Sequence, residues 1–349
     1  MGRLRILVAD NSATYKKMFA SAAAELDNSA VVTSISDGDE ALEKIKRCDY
    51  EIIIIDAEVS DIGLLLRKIK LQIPKAFVLI TARPSQANDE LCAQALVNGA
   101  ADYLVKPIQS SYNDNYDVIK DKMADIFSLL SNRHSNNTER VESEQAVSKK
   151  VIRKSRFYPG IVLIAASTGG PAALEKIIPN LSKCFPVPIL IVQHMLLQFT
   201  DSLAQNLDQK SQLRVKVAED SETVEAGTVY LAPGGTHMLL DAKSRIRLSQ
   251  SPPMNGVRPA ADMLFESVAD SLANRAGVLA VILTGMGQDG ARGLGRLKEK
   301  QSCLCLAQSE ETCIVYGMPR VAAERGFVDK ILDLDEIAIE IERLCFAKG

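Results

Sequence analysis

The sequence predicts an α/β protein of two doubly wound parallel-sheet domains: a smaller (βα)5 domain in front and a larger one behind that carries a β-hairpin. Three observations predict it. Short, fully apolar runs rich in Val and Ile recur, such as Ile161–Ile164 and Val278–Leu283; strands covered on both faces of a parallel sheet read this way. Helix-period segments fill the gaps, and strictly alternating β and α gives a parallel sheet with right-handed crossovers. Between residues 131 and 156 the composition shifts to Ser, Asn, Glu, Lys and Arg of mixed charge, which separates the two patterns as a solvated linker.

In the first domain, residues 1–130, strands are expected at Arg5–Asp10, Ala30–Ser36, Glu51–Asp56, Ala76–Ala82 and Ala101–Val105, with helical patterns such as Ala13–Leu26 and Gly38–Cys48 between them. The second domain, residues 157–349, adds strands at Pro188–Gln193 and Cys303–Ala307 to the two runs above. A hairpin is expected from Met238–Asp241 and Arg245–Leu248 around a short polar turn. No internal repeat is apparent.

Bulk properties narrow the function classes. A chain of 349 residues is long enough for two cores. Hydrophobic content of 47% and charged content of 24% exclude disordered and fibrous classes. A net charge of −3 argues against a general nucleic-acid binder. No apolar run approaches the roughly 18–20 residues a bilayer span needs. The N-terminus lacks a signal-peptide pattern, and Ile6 breaks a myristoylation signal. The seven cysteines are an odd number without ligand-like grouping, and Cys303 and Cys305 are expected to pack on one face of a strand. Reduced thiols in a cytoplasmic protein are the expectation.

Chemistry in the first domain gathers at strand ends, where open α/β sheets place their sites. Asp10 ends the first strand and Asp56 the third. Carboxylates clustered there repel one another unless a hard cation such as Mg²⁺ sits between them. Thr81 ends the fourth strand, and Lys106 follows the fifth. A hydroxyl and an ammonium complete a site for a phosphoryl group on Asp56. Any one of these residues reads equally well as a solvated loop position; four in order do not.

That set resembles response-regulator receiver domains over nearly all of residues 1–130. The resemblance implies phosphorylation at Asp56, Mg²⁺ held by Asp10, Asn11 and Asp56, and a switch formed by Thr81, Tyr103 and Lys106. Three positions depart from the family. Asn11 replaces a second acidic residue, which should weaken Mg²⁺ affinity. Val59-Ser60 stands where Met-Pro is usual, and the loop glycine arrives one position early at Gly63.

In the second domain three polar positions each follow a strand, Ser167, His194 and Asp289, the first and last of them beside glycines. A hydroxyl, an imidazole and a carboxylate at one sheet edge are equipment for acyl transfer. Ser167 precedes Gly169-Gly170 and a helix, whose N-terminal N–H groups suit a tetrahedral oxyanion. An N-capping serine or a phosphate cradle are the competing readings. Of the three histidines, His134 lies in the linker and His237 starts the hairpin. His194 is better placed, because its strand end is of the same kind as that of Ser167. Gly285–Gly290 also spells G-x-G-x-x-G, with Glu310 about 20 residues later, as a dinucleotide fingerprint requires. Asp289 would then place a carboxylate where the pyrophosphate must sit.

The segments A-S-T-G-G at 166–170, Q-H-M at 193–195, F-T at 199–200, A-P-G at 232–234, R-P at 258–259, T-G-M-G-x-D-G at 284–290 and G-M-P at 317–319 resemble the catalytic domain of chemotaxis protein-glutamate methylesterases, the CheB family. With the receiver, the similarity spans the chain except its linker. It implies Ser167 as nucleophile, His194 as base and Asp289 as its orienter, with no metal in this domain. The implied reaction is hydrolysis of glutamate γ-methyl esters, and deamidation of glutamines, on methyl-accepting chemoreceptors. The implied phosphodonor is the histidine kinase of the chemotaxis system, and the unphosphorylated receiver is expected to cover the active site. Ala165, Leu196, Val257 and Ala260 depart from the family around the site. Two rival readings remain: a non-switching receiver scaffold with a vestigial esterase, and a dinucleotide-binding protein using Gly285–Gly290.

Overall fold

A computed structural model describes residues 3–59, 61–136, 157–271 and 277–346. The chain forms two compact units.

The first alternates β1 (Arg5–Ala9), α1 (Ala13–Leu26), β2 (Val31–Ile35), α2 (Gly38–Ile45), β3 (Ile52–Asp56), α3 (Ile62–Gln72), β4 (Phe77–Ala82), α4 (Gln86–Val97), β5 (Asp102–Val105) and α5 (Tyr112–Asn136). The strands pair in parallel in the order β2-β1-β3-β4-β5. Each expected strand is present to within one residue at either end. Central β3 and β4 are buried throughout, which is why they read as unbroken apolar runs. α2 ends at Ile45, three residues short of Cys48, where the chain tightens into a turn with Cys48 donating to the Lys44 carbonyl.

The linker expected from residue 131 begins later, because α5 continues through Asn136. Its buried stripe includes Ile119, Met123, Ile126 and Leu130, at helical spacing. Once a helix is nucleated, elongation adds one backbone hydrogen bond per residue fixed. The rest of the expected linker, and Ser60, lie outside the described residues.

The second unit runs β6 (Pro159–Ala166), α6 (Gly170–Ile177), a 3₁₀ turn at Ile178–Asn180, β7 (Ile189–Gln193), α7 (Leu197–Lys210), β8 (Arg214–Val217), β9 (Thr228–Leu231), β10 (His237–Leu240) and β11 (Ile246–Ser249). It continues with α8 (Ala261–Ser271), β12 (Gly277–Ile282), α9 (Ala291–Lys300), β13 (Cys303–Gln308), α10 (Met318–Glu324), β14 (Lys330–Leu332) and α11 (Leu334–Phe346). Seven of these strands pair in parallel in the order β14-β13-β12-β6-β7-β9-β8. β12, distant in sequence from the consecutive strands β6 and β7, thereby lies beside β6 at the sheet's centre. Their registers set Ala165 beside Ile282 and Ala166 beside Gln193, so all three end at one edge.

β10 and β11 form a separate antiparallel ribbon, displaced one residue from the expected hairpin. The displacement follows from Asp241, whose Oδ1 accepts the N–H groups of Lys243 and Arg245 and pulls both into the turn. Cys305 is fully buried in the core and Cys303 packs against it. Burial pushes the Cys303 thiol up to about 12. All seven cysteines are free thiols. Among the described residues, no helix is long and apolar enough to cross a membrane.

Candidate active site and acidic pocket

The ladder that aligns β12, β6 and β7 extends one residue past the strands. The Ser167 N–H donates to the Thr284 carbonyl at 3.0 Å, and the His194 N–H donates to the Ala166 carbonyl at 3.0 Å. Gln193 Nε2 donates to the carbonyls of both Ser167, at 2.9 Å, and His194, at 3.0 Å. Gly285 is required here by space: a Cβ on it would stand 2.7 Å from Ser167 Cβ and 2.5 Å from Met318 Sδ. The G-x-G-x-x-G segment thus lets its own backbone pass against the serine.

Asp289 reaches His194 from the loop between β12 and α9. Its Oδ2 lies 2.7 Å from His194 Nε2, which leaves Nδ1 as the ring nitrogen available to other partners. The carboxylate is only 3% exposed, yet it is well supplied with donors. Oδ2 also accepts the Ala261 N–H at 2.6 Å, and Oδ1 accepts the Asp262 N–H at 3.0 Å. These are the first amides of α8, where a negative charge is favoured. Burial pushes the Asp289 carboxyl up, but the His194 hydrogen bond and charge and the two amides outweigh it and hold it below the usual carboxylate range. An ionised acid beside an imidazole fixes the ring's tautomer and stabilises its cation.

Ser167 stands at the adjacent strand end, half-buried, and its hydroxyl makes no hydrogen bond with His194 among the described residues. Catalytic bonds are often long before substrate is bound. The expected oxyanion donors at the start of α6 are in part committed: the Gly170 N–H donates to the Ser167 carbonyl at 2.7 Å. His237 is fully buried. Its Nε2 faces the Pro252 carbonyl at 3.2 Å and its Nδ1 accepts the Ala260 N–H at 3.1 Å, so neither nitrogen is free for proton transfer. His134 lies near the end of α5. Two residues that sequence reasoning missed, Asn255 and Asp262, also border Asp289. Asp262 had left a signal: a carboxylate within the buried stripe of α8, between Ala261 and Leu264.

The geometry also weighs against a dinucleotide. Both oxygens of Asp289 are engaged, and the Gly293 N–H in the first turn of α9 is taken by Asp262 Oδ1 at 2.8 Å. The N-terminus that a pyrophosphate would need is already capped by a carboxylate.

In the first unit Asp10, Asp56, Thr81 and Lys106 come together at one sheet edge, each at most 4% exposed. The Lys106 ammonium pairs with Asp10 Oδ2 at 2.7 Å and with Asp56 Oδ2, and it lies 4.8 Å from the centre of the Tyr15 ring. Burial lowers the Lys106 ammonium below its ordinary value, and Asp10 draws it back up. Backbone amides of Ser12 and Glu58 each donate to one carboxylate, at 2.7 Å. Asp10 Oδ2 and Thr81 Oγ1 are buried without a directed hydrogen bond, although Asp10 Oδ2 has the ammonium as an ion partner. The Lys106 ammonium bridges the two carboxylates, the kind of oxygen donors a hard divalent cation takes. Asn11 is exposed at the rim and Tyr103 is half-buried on β5. Among the described residues, no group of three or more His, Cys, Asp or Glu could hold a metal ion.

Comparison with known proteins gives two family models. One described as CheB methylesterase matches residues 162–341, and one described as response regulator receiver domain matches residues 6–112. The protein-glutamate methylesterase/protein-glutamine glutaminase 1 of Syntrophomonas wolfei is 38% identical over 358 residues, covering 98% of this chain and 99% of its own length. The corresponding protein of Geobacillus kaustophilus is 36% identical over 358 residues, covering 99% of each. Among solved structures, the Thermotoga maritima CheB methylesterase catalytic domain is similar at 44% identity and a TM-score of 0.51, covering 53% of this chain and 98% of that one.

Proposed function

The chain belongs to the CheB methylesterase family, with a response regulator receiver domain in front of the esterase, and from that premise we propose a Ser-His-Asp hydrolase acting on chemoreceptors. Its substrates are glutamate γ-methyl esters, and glutamine side chains, of methyl-accepting chemoreceptors. The observation that carries the reading is the 2.7 Å pairing of His194 with a buried, ionised Asp289, at the strand end next to that of Ser167.

Ser167 Oγ attacks the ester carbonyl carbon while the imidazole of His194 takes the hydroxyl proton. Asp289 holds the resulting cation. The tetrahedral intermediate expels methoxide, which takes the proton from His194 and leaves as methanol. Water then attacks the acyl-enzyme, again giving its proton to His194, and glutamate and Ser167 are restored. With a glutamine substrate the same acyl-enzyme forms and ammonia leaves.

The acidic pocket supplies control: a chemotaxis histidine kinase phosphorylates Asp56, with Thr81, Tyr103 and Lys106 relaying the change. Asp10, Asn11 and Asp56 would hold Mg²⁺, which neutralises phosphoryl charge when bound. The protein works in the cytoplasm, where kinase and receptor signalling domains meet it. Methanol release from methylated receptor, with and without a small-molecule phosphodonor, tests the reading. Release that rises with the phosphodonor, and rises also on removal of residues 1–150, is the expected result. An absence of methanol under every condition would leave the esterase vestigial and the scaffold reading standing.

Two further outcomes are expected. Asp289→Asn keeps the shape but removes the charge and turns an amide donor toward helix amides; the analogous change in a serine protease costs about 10⁴ in kcat. Steady-state methanol release measures it. Asn11→Asp adds a carboxylate to the acidic pocket, so half-maximal phosphorylation of Asp56 should occur at lower Mg²⁺ than in the native chain. A Mg²⁺ titration followed by intact-protein mass reads that shift.

A further inference from the structure

Next to Asp289 lies a second buried carboxylate that the mechanism above leaves unused. Asp262, the second residue of α8, is 2% exposed. Its Oδ1 accepts the Gly293 N–H of α9 at 2.8 Å. Asp289, on the loop leading into α9, accepts the Ala261 and Asp262 N–H groups of α8. Each helix is therefore capped by a carboxylate from the other's side, and the two caps interlock. The helices come close enough for this because residue 293 is glycine: a Cβ there would stand 2.9 Å from the Asp262 carbonyl oxygen.

Two carboxylates so close oppose one another. Burial raises the Asp262 carboxyl above its ordinary value, the charge of Asp289 adds to this, and the Gly293 amide and Asn255 act against it. Among the described residues, the side-chain amide that bonds both acids is that of Asn255. Its Nδ2 donates to Asp262 Oδ2 at 2.9 Å and to Asp289 Oδ1 at 3.3 Å. Asn255 sits in an exposed turn at φ +54°, closed by hydrogen bonds between Met254 and Val257. Asparagine is among the few side chains at ease there. The nearby guanidinium of Arg292 is paired with Glu266 at 2.6 Å.

We propose that Asn255 and Asp262 are positioning residues of the esterase, fixing the Asp289 carboxylate so that its Oδ2 stays on His194. The inference rests on the serine mechanism given above. Oδ2 of Asp289 serves His194 and Ala261, while Oδ1 is held by the Asp262 amide and Asn255. Rotating the carboxylate to offer His194 a different angle breaks the bonds on Oδ1. Asn255 resists that rotation from the solvent side, and Asp262 holds Asn255 in place.

Asn255→Gly tests this, because glycine keeps the positive-φ turn and the position is exposed, so the fold is retained. Loss of a hydrogen bond to a charged group predicts a fall of about tenfold in kcat, with KM within about twofold and a lower melting temperature, so activity is read well below it. In an Asp289→Asn background the same substitution should cost less than about twofold, because its effect passes through the missing charge. Asp262→Asn keeps an acceptor for Gly293 but sets an amide against that of Asn255, and should likewise lower kcat rather than raise KM. Native kcat in Asn255→Gly overturns the proposal, as does an equal loss in both backgrounds. Ser167→Ala, run alongside, separates the two levels. Turnover by that variant sinks the serine mechanism and this inference with it. An inactive Ser167→Ala beside an unimpaired Asn255→Gly sinks this inference alone.

Discussion

Ser167→Ala is expected to abolish methanol release, by about 10⁶ in turnover, the loss seen when a catalytic serine is removed from a comparable hydrolase. The backbone of Ser167 is fixed by its bonds to Thr284, Gly170 and Gln193, none of which uses the hydroxyl. The substitution removes one oxygen from a half-buried position and leaves the core intact, so the melting temperature should not move. A variant retaining a tenth of native activity would show that Ser167 is not the nucleophile.

His194→Ala should be nearly as damaging, because nucleophile and base act as a unit and removing either costs about as much as removing both. The informative control is His237→Ala. That ring is fully buried and bonds the Pro252 carbonyl and the Ala260 amide. Its loss leaves both groups unsatisfied and empties a volume, which should cost about 2 kcal/mol or more of stability. Thermal unfolding of the two variants should therefore diverge: His194→Ala inactive with a near-native melting temperature, and His237→Ala active when folded but melting several degrees lower. Equal catalytic loss in the two, with normal KM, would transfer the base to His237.

Much of this site was legible in the sequence because parallel strands announce themselves. Ile161–Ile164, Ile189–Val192 and Val278–Leu283 are apolar on both faces, so the polar residues in the turns after them stand out at the strands' carboxyl ends. Ser167, His194 and Asp289 are among those residues. Asp10, Asp56, Thr81 and Lys106 were legible for the same reason. Strand adjacency was not legible, because sheet order is a long-range property: nothing local in Gly277–Ile282 says that it lies beside Pro159–Ala166. Asn255 escaped notice because it is an ordinary turn residue whose partners lie on a distant helix and a distant loop. The linker is expected from residue 131, whereas α5 continues to Asn136, because the polar composition there does not by itself end a helix already nucleated by Ile119 to Leu130.

The central placement of β12 between β13 and β6 has a consequence for the chain as it is made. His194 leaves the ribosome 95 residues ahead of Asp289, a delay of roughly five to twenty seconds at ordinary rates of synthesis. During that interval the nucleophile and base exist without their carboxylate, and the sheet consists of β6 to β9 alone, without β12, β13 and β14. A nascent chain ending before Gly277 therefore holds the reactive side chains but no working esterase. Pairing of β12 with β6 brings Asp289 to His194, so hydrolytic power arrives late in synthesis, with β13 and β14 joining the sheet after it.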